Sequence, residues 1–279
     1  MPLTSYNQVR VPSFMYGTAW KKAATTKLVE LAVTTGFRAI DTANQLIHYE
    51  EALVGDALQA LERQGIKRDM LFLQTKFTSL SGQDQRTPYD PSTDLTTQVA
   101  QSFNSSLEHL HTDYLDSYVL HAPMSRRGLG AADWEVWAAM ENLYESGKIK
   151  MIGISNIIAP QLQLLCSQAK HRPMIVQNRC FAVAAWDRDV REICLENGII
   201  YQGFSLLTAN GDVLASRLVR TVAQRLGATS AQVVFRFAMQ IGMLPLTGTT
   251  SRQHMQEDLD SERFQLSDDE LARIEMIAV

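Results

Sequence analysis

Short apolar runs alternate with helical patterns along nearly the whole chain. The run at residues 71–76 is too short for a helix and has polar flanks, which indicates a buried strand. Residues 95–110 instead repeat their apolar positions at helical steps. Strand-like runs begin near Ser13, Arg38, Leu71, Leu115, Met151, Met174, Ile199 and Met243. This alternation predicts parallel strands joined by helical crossovers.

Eight such units, spaced by about 25 to 45 residues, predict one closed (β/α)8 TIM barrel of α/β class, with a single domain over residues 1–279. The alternative is an open, doubly wound sheet. When it binds dinucleotides, that fold usually carries G-x-G-x-x-G after its first strand, and GTAW stands there instead, at residues 17–20. The last helix should begin at a capping box formed by Ser267 and Glu270.

Composition narrows the class of protein. The 46% hydrophobic and 20% charged residues are typical of a globular protein, and the net charge of −4 disfavours nucleic acid or an anionic membrane as a partner. No apolar run approaches the roughly 18 residues of a membrane span, and the N-terminus lacks a signal-peptide core, so we expect a cytoplasmic protein. Cys166, Cys180 and Cys194 form no C-x-x-C pair, which predicts free thiols.

Three consecutive predicted strands end in Asp41, Lys76 and His121. Singly, each has a structural explanation, as a helix cap, a solvated lysine or a hydrogen-bonded core histidine. Together they indicate a site, because the carboxyl ends of barrel strands meet at one mouth. An Asp41–Lys76 ion pair would keep the lysine charged, and a charged lysine lowers the pKa of a nearby phenol. Two potential metal ligands without a paired histidine motif disfavour a metal, and we expect none.

Several segments resemble the aldo-keto reductase family over residues 11–279. They are GTAW (17–20), GFRAIDTA (36–43), LQTK (73–76), LDSYVLHAP (115–123), GKIKMIGISN (147–156), VQN (176–178), GFS (203–205) and LSDDELARIE (266–275). The resemblance implies a (β/α)8 barrel that binds NADPH, usually in preference to NADH. It also implies reduction of aldehydes and ketones by a tetrad of Asp, Tyr, Lys and His.

The resemblance assigns roles by position. Asp41 would pair with Lys76, Lys76 would tune the tyrosine, and His121 would orient the substrate carbonyl. Phe204 would stack on the nicotinamide ring, for which an aromatic face suffices. Gly17 and Thr18 are also implied to bind the cofactor. Its carboxamide would contact Ser155, Asn156 and an amide of Gln177 or Asn178, and its pyrophosphate would contact Ser205 to Leu207. Its adenosine phosphate would contact Gly248, Thr249, Thr250 and Arg252.

The chain departs from the family pattern in two places. Leu46 stands where the family usually has its tyrosine, and residues 41–55 form a segment two residues longer than usual. Counted back from Gly55, His48 takes the position of the tyrosine and Tyr49 falls next to it. We assign the proton donor to Tyr49, whose phenol can donate to a carbonyl oxygen once Lys76 lowers its pKa. His48 can do the same acid chemistry and stays the alternative. Leu246 replaces a phosphate-binding lysine, so NADH remains an alternative cofactor.

These patterns predict an NAD(P)H-dependent reductase that acts on a small-molecule carbonyl substrate, with no nucleic acid or membrane partner. Trp20 and His48 would line the substrate site, while Trp186 and Phe77 would be either apolar walls or core. Two alternatives are a cofactor-binding regulatory subunit with little or no turnover and a metal-dependent barrel hydrolase. The sequence leaves the oligomeric state open between a monomer and a weak dimer.

Overall fold

The computed structural model describes residues 3–278. Eight parallel strands form a barrel. They are β3 Met15–Gly17, β4 Ala39–Asp41, β5 Phe72–Phe77, β6 Ser117–Leu120, β7 Ile152–Ser155, β8 Ile175–Arg179, β9 Ile200–Phe204 and β10 Leu244–Thr247, numbered after the two strands of an N-terminal hairpin. The barrel closes in the order β10-β3-β4-β5-β6-β7-β8-β9. The closed barrel confirms the predicted fold and excludes the open sheet.

Helices surround the barrel and follow its strands. They are α1 Thr25–Thr35, α2 Glu51–Arg63, α3 Leu95–Leu110, α4 Ala131–Glu145, α5 Ala159–Gln168, α6 Arg188–Glu196, α7 Gly211–Ala215, α8 Arg217–Leu226, α9 Ser230–Gln240, α10 Arg252–Asp260 and α11 Asp268–Glu275. The predicted capping box at the start of α11 is present, with the Ser267 hydroxyl accepting from the Glu270 backbone N–H. Helix α1 ends at Gly36, whose φ of 137° few other residues adopt.

A short antiparallel hairpin, which the sequence patterns did not predict, lies at the N-terminal end of the barrel. Its strands are β1 Leu3–Thr4 and β2 Arg10–Val11. The Tyr6 hydroxyl donates to the backbone oxygen of Arg172, just ahead of β8, and the Tyr6 N–H donates to that of Gly198, ahead of β9. The hairpin therefore packs where strands begin and leaves the opposite end, where they finish, as the mouth.

The described residues contain no helix that is both long and apolar enough to cross a membrane. All three cysteines are unpaired, as expected, and two of them, Cys180 and Cys194, are buried.

Candidate active site

Asp41 and Lys76 form a buried ion pair at the mouth of the barrel. The last residue of β4 is Asp41, and Lys76 lies on the neighbouring strand β5. Lys76 Nζ donates to Asp41 Oδ1 at 2.6 Å and to the Thr42 backbone oxygen at 2.8 Å, and the side chains are only 1% and 4% exposed. Burial lowers the pKa of Lys76, while the Asp41 carboxylate acts in the opposite direction. The predicted pair is thus present.

Tyr49 and His121 lie next to this pair. Lys76 Nζ is 5.3 Å from the centroid of the Tyr49 ring. The Tyr49 and His121 ring centroids are 6.1 Å apart, with an interplanar angle of 68°. The structure therefore brings together all four side chains predicted to be catalytic.

His48, the alternative proton donor, has different neighbours from Tyr49. Its ring lies edge-on to Trp20, with centroids 4.1 Å apart, and its Nδ1 is 2.6 Å from Gln45 Oε1. The His48 backbone oxygen also accepts from the Trp20 N–H at 2.7 Å. Burial lowers the pKa of His48, which favours the neutral ring. The Tyr49 ring lies 5.3 Å from Lys76 Nζ, whereas the contacts of the His48 ring are with Trp20 and Gln45.

The pKa of Tyr49 is raised, which is opposite to the lowering by Lys76 predicted from the sequence. Burial of the phenol is the main cause, and the negative charge of Asp41 adds to it. Because Asp41 lies directly against the Lys76 ammonium, it offsets the field that the lysine exerts on the ring. The raised pKa keeps the phenol protonated, and therefore able to donate, throughout the physiological pH range.

His121 is held in its neutral form. Burial is the main cause, and together with the charges of Lys76 and His48 it lowers the pKa of His121 to about 3. The His121 Nδ1 lies 2.7 Å from the Thr78 hydroxyl oxygen. If that hydroxyl donates to Nδ1, the single ring proton resides on Nε2 and can be donated to a ligand.

The amides expected at the nicotinamide carboxamide differ in their availability. Asn156 Nδ2 donates to the His121 backbone oxygen at 2.8 Å and to Ser155 Oγ at 3.1 Å, which leaves Asn156 Oδ1 for a ligand. Gln177 Nε2 donates to Asp41 Oδ1 and to Gln202 Oε1, which leaves Gln177 Oε1. Two acceptor oxygens and a serine thus surround this part of the mouth.

The side chain of Asn178 is fully used in hydrogen bonds within the protein. Its Nδ2 donates to the Ile157 backbone oxygen and to Asp187 Oδ2, and its Oδ1 accepts from the Ile157 N–H at 3.0 Å. Its oxygen as well as its amide protons are therefore used, whereas Gln177 Oε1 accepts no such bond, so the geometry favours Gln177 over Asn178 as a ligand. Thr18 is also occupied, because its buried hydroxyl donates to the Asp41 backbone oxygen at 3.0 Å.

The predicted stacking residue, Phe204, ends β9 at the mouth. It pairs in register with Arg179 on β8, whose guanidinium carbon is 5.6 Å from the ring centroid. The backbone turns sharply at Ser205, which has a φ of 58°, and Leu206 then returns to the core while Leu207 is only partly buried.

The residues expected at the adenosine phosphate follow β10. Gly248, Thr250 and Arg252 are exposed, and Thr249 accepts a hydrogen bond on its hydroxyl from the Ser251 N–H. Ser251 caps α10, and Arg252 is the first residue of that helix.

A further cation lies at the same place. Lys21 Nζ donates to the Gly248 backbone oxygen, and burial lowers the pKa of Lys21. Lys21 is not among the residues predicted from the sequence, although it directly follows the GTAW segment.

Two of the suggested substrate walls are core residues. Trp186 is fully buried, donates its ring N–H to the Ile274 backbone oxygen at 3.1 Å and packs against Phe237. Phe77 is also fully buried and packs against Tyr89. Trp20, by contrast, is 64% exposed, which suits a substrate contact.

A closed (β/α)8 barrel with charged and polar groups at the carboxyl ends of its strands defines the broad class of barrel enzymes. A model of the aldo/keto reductase family matches residues 14–279, and the chain belongs to that family. Its members are oxidoreductases that reduce carbonyl compounds with a nicotinamide cofactor.

Individual relatives agree with this assignment. The uncharacterized oxidoreductase YtbE of Bacillus subtilis (strain 168) is 29% identical, over 98% of this chain and 91% of YtbE. Glyoxal reductase of the same bacterium is 30% identical, over 90% of this chain and 83% of the reductase. A solved aldo-keto reductase complexed with NADPH shares the fold, with a TM-score of 0.84 at 21% identity over 100% of this chain and 87% of that one.

Proposed function

We propose that this protein is an NADPH-dependent carbonyl reductase in which Tyr49 donates the proton. The observation that carries the proposal is the position of the Tyr49 ring, 5.3 Å from Lys76 Nζ and 6.1 Å from the His121 ring. A phenol, an ammonium and a neutral imidazole are thereby gathered at the mouth of a barrel. These are the groups needed to bind a carbonyl oxygen and to protonate it.

The chemistry of the mouth fits a nicotinamide. Asn156 Oδ1 and Gln177 Oε1 are hydrogen-bond acceptors, which match the two N–H groups of a carboxamide. Phe204 offers an aromatic face beside them. When bound, the reduced nicotinamide supplies hydride to the carbonyl carbon.

The protein side chains act on the carbonyl oxygen. His121, which is neutral, donates from Nε2 and orients the oxygen. Tyr49 donates its phenolic proton as negative charge develops there, and general acid catalysis of this kind typically contributes about 10²- to 10⁴-fold in rate. The Lys76 ammonium, which Asp41 holds in place at 2.6 Å, lies beside the phenolate that is left, although the carboxylate offsets part of its field.

The phosphate end supports NADPH rather than NADH as the cofactor. Arg252 is exposed at the start of α10, and helix N-termini favour anions. Lys21 lies close by at Gly248 and takes the place of the cation that Leu246 does not supply. A phosphate bound here would meet two cations and the N-terminus of α10. The NADPH found in the structural neighbour supports the same preference.

The physiological setting that we infer is the cytoplasm, with a small aldehyde or ketone as the substrate and neither nucleic acid nor a membrane as a partner. The exposed Trp20 beside His48 provides an aromatic surface at the entrance. Glyoxal, taken from the name of one relative, and an aromatic aldehyde are therefore suitable first probes.

The test is to titrate the purified protein with NADPH and then to follow NADPH oxidation with each aldehyde. Binding with turnover in the wild-type protein, and a loss of turnover of at least about 100-fold in Lys76→Met with binding retained, would support the proposal. Binding without any turnover across the aldehydes would instead indicate a cofactor-binding regulatory subunit. Unchanged turnover in Lys76→Met would refute the assigned chemistry.

A further inference from the structure

Three glutamines form a closed hydrogen-bond network beneath the ion pair. Gln74, Gln177 and Gln202 come from β5, β8 and β9, and their exposed fractions are 0%, 3% and 0%. Buried glutamines are uncommon because an unpaired amide is costly inside a protein. Here the network pairs their amide groups with one another and with Asp41.

The directions of these hydrogen bonds follow from the carboxylate. Ionised Asp41 can only accept, so Gln74 and Gln177 must both present Nε2 to its Oδ1, at 2.8 and 3.1 Å. Their second N–H groups both point to Gln202 Oε1, at 2.8 and 2.9 Å. Gln202 must therefore turn its Nε2 toward Gln74 Oε1, 3.0 Å away. No amide can flip without breaking several bonds.

We infer that Gln74 and Gln202 are positioning residues that hold Gln177 so that only its carbonyl oxygen faces the cofactor. Both amide protons of Gln177 are used inside the network, and Oε1 is the polar atom left for a ligand. The inference rests on the proposed function, because it concerns the carboxamide of the nicotinamide. It makes the site selective for a cofactor that carries an N–H group there.

A cofactor analogue tests this selectivity. The 3-acetylpyridine analogue of NADPH replaces the carboxamide NH2 by a methyl group and keeps the carbonyl oxygen. In the wild-type protein the analogue leaves Gln177 Oε1 without a donor, and its carbonyl oxygen gains no bond from Gln177. The wild-type protein should bind NADPH about tenfold or more tightly than the analogue, as measured by equilibrium titration of protein fluorescence.

The informative variant is the double substitution Gln74→Leu with Gln202→Leu. Replacing both partners by apolar groups of similar size avoids unpaired amides between them, so folding should be retained. Gln177 is then held by Asp41 alone, so its amide can turn over and present an N–H to the carbonyl oxygen of the analogue. The preference for NADPH should fall to about threefold or less.

Two further variants separate positioning from packing. Leu73→Met, at the buried residue next to Gln74 on β5, changes core packing outside the network and should keep the wild-type preference. In Gln202→Glu, a carboxyl group that is protonated in this buried setting keeps one carbonyl acceptor and one donor. This single variant should therefore retain most of the wild-type preference for NADPH over the analogue. These two results would support the inference.

Two results would overturn it. One is a wild-type protein that binds both nucleotides equally, since that would mean that Gln177 Oε1 does not face the carboxamide. The other is a double variant that folds and binds with the wild-type preference. Failure of the proposed function looks different, because the wild-type protein would then either bind neither nucleotide or bind NADPH without turnover, whereas the preference between the two nucleotides is measured by binding alone.

Discussion

The Asp41–Lys76 pair allows a stability prediction whose magnitude comes from its burial. Both side chains are almost fully buried, and their charged atoms are 2.6 Å apart. Substituting Lys76→Met leaves a carboxylate without its counter-ion, and breaking a buried pair in this way costs about 3–5 kcal/mol. Asp41→Asn, which leaves the ammonium unpaired, should cost a similar amount. Either loss is a large part of the roughly 5–15 kcal/mol that stabilises a typical protein.

The double variant Asp41→Asn with Lys76→Met should be more stable than either single variant. It contains neither charge, and asparagine keeps a carbonyl oxygen that can accept from Gln74 and Gln177. The remaining cost is mainly the unpaired Thr42 backbone oxygen, about 1–2 kcal/mol. The two single costs would therefore be far from additive.

The assay is urea unfolding of the four proteins at one pH, with equal denaturant slopes as a check on comparability. Arg273→Gln serves as the control, because Arg273 pairs with Asp269 on the exposed surface of α11 at 3.4 Å. That substitution should change the free energy of unfolding by no more than about 0.5 kcal/mol. A Lys76→Met cost as small as this, or additive costs in the double variant, would refute the buried pair as described.

Three further predictions concern other parts of the molecule. Folding lowers the pKa of His121 from 6.5 to about 3, so the contribution of neutral His121 to stability is full above pH 6.5 and is lost as the pH falls toward 3. The urea midpoint of His121→Gln should therefore depend less on pH over that range than the midpoint of the wild-type protein. Gly55→Ala would place a Cβ 1.8 Å from the His109 backbone oxygen, so it should lower the free energy of unfolding by at least about 1–3 kcal/mol. Gly211→Ala, with open space around the added Cβ, should lower it far less, and equal urea midpoints for the two variants would contradict this. Arg252→Ala should weaken NADPH binding by about 10- to 100-fold and NADH binding much less, and an equal loss for both in fluorescence titrations would place the phosphate elsewhere.

The barrel and its ion pair could be predicted because they follow from local patterns. Each strand is a short apolar run between helical segments, and parallel strands bring their carboxyl ends to one mouth. The sequence alone therefore predicts that Asp41, Lys76 and His121 lie together. The N-terminal hairpin escaped prediction because each of its strands has only two residues, too few for a periodic signal.

Features that depend on packing between distant segments were harder to predict. Asn178 matches a ligand position in sequence, but Asp187 folds back and takes one of its amide protons. The direction of the Tyr49 pKa shift depends on burial, which the sequence does not specify. Gln74 and Gln202 did carry a signal, since each precedes a mouth residue by two positions and therefore shares its face of the strand.

The proton donor is the central claim, and single-turnover reduction of an aromatic aldehyde by the NADPH complex tests it most directly. The account predicts that Tyr49→Phe slows the reaction by at least about 100-fold with little change in NADPH affinity, because the substitution removes only the donated proton. His48→Gln should stay within about tenfold of the wild-type rate, because His48 lies against Trp20. A slow His48→Gln variant together with a fast Tyr49→Phe variant would contradict the account and assign the proton to His48.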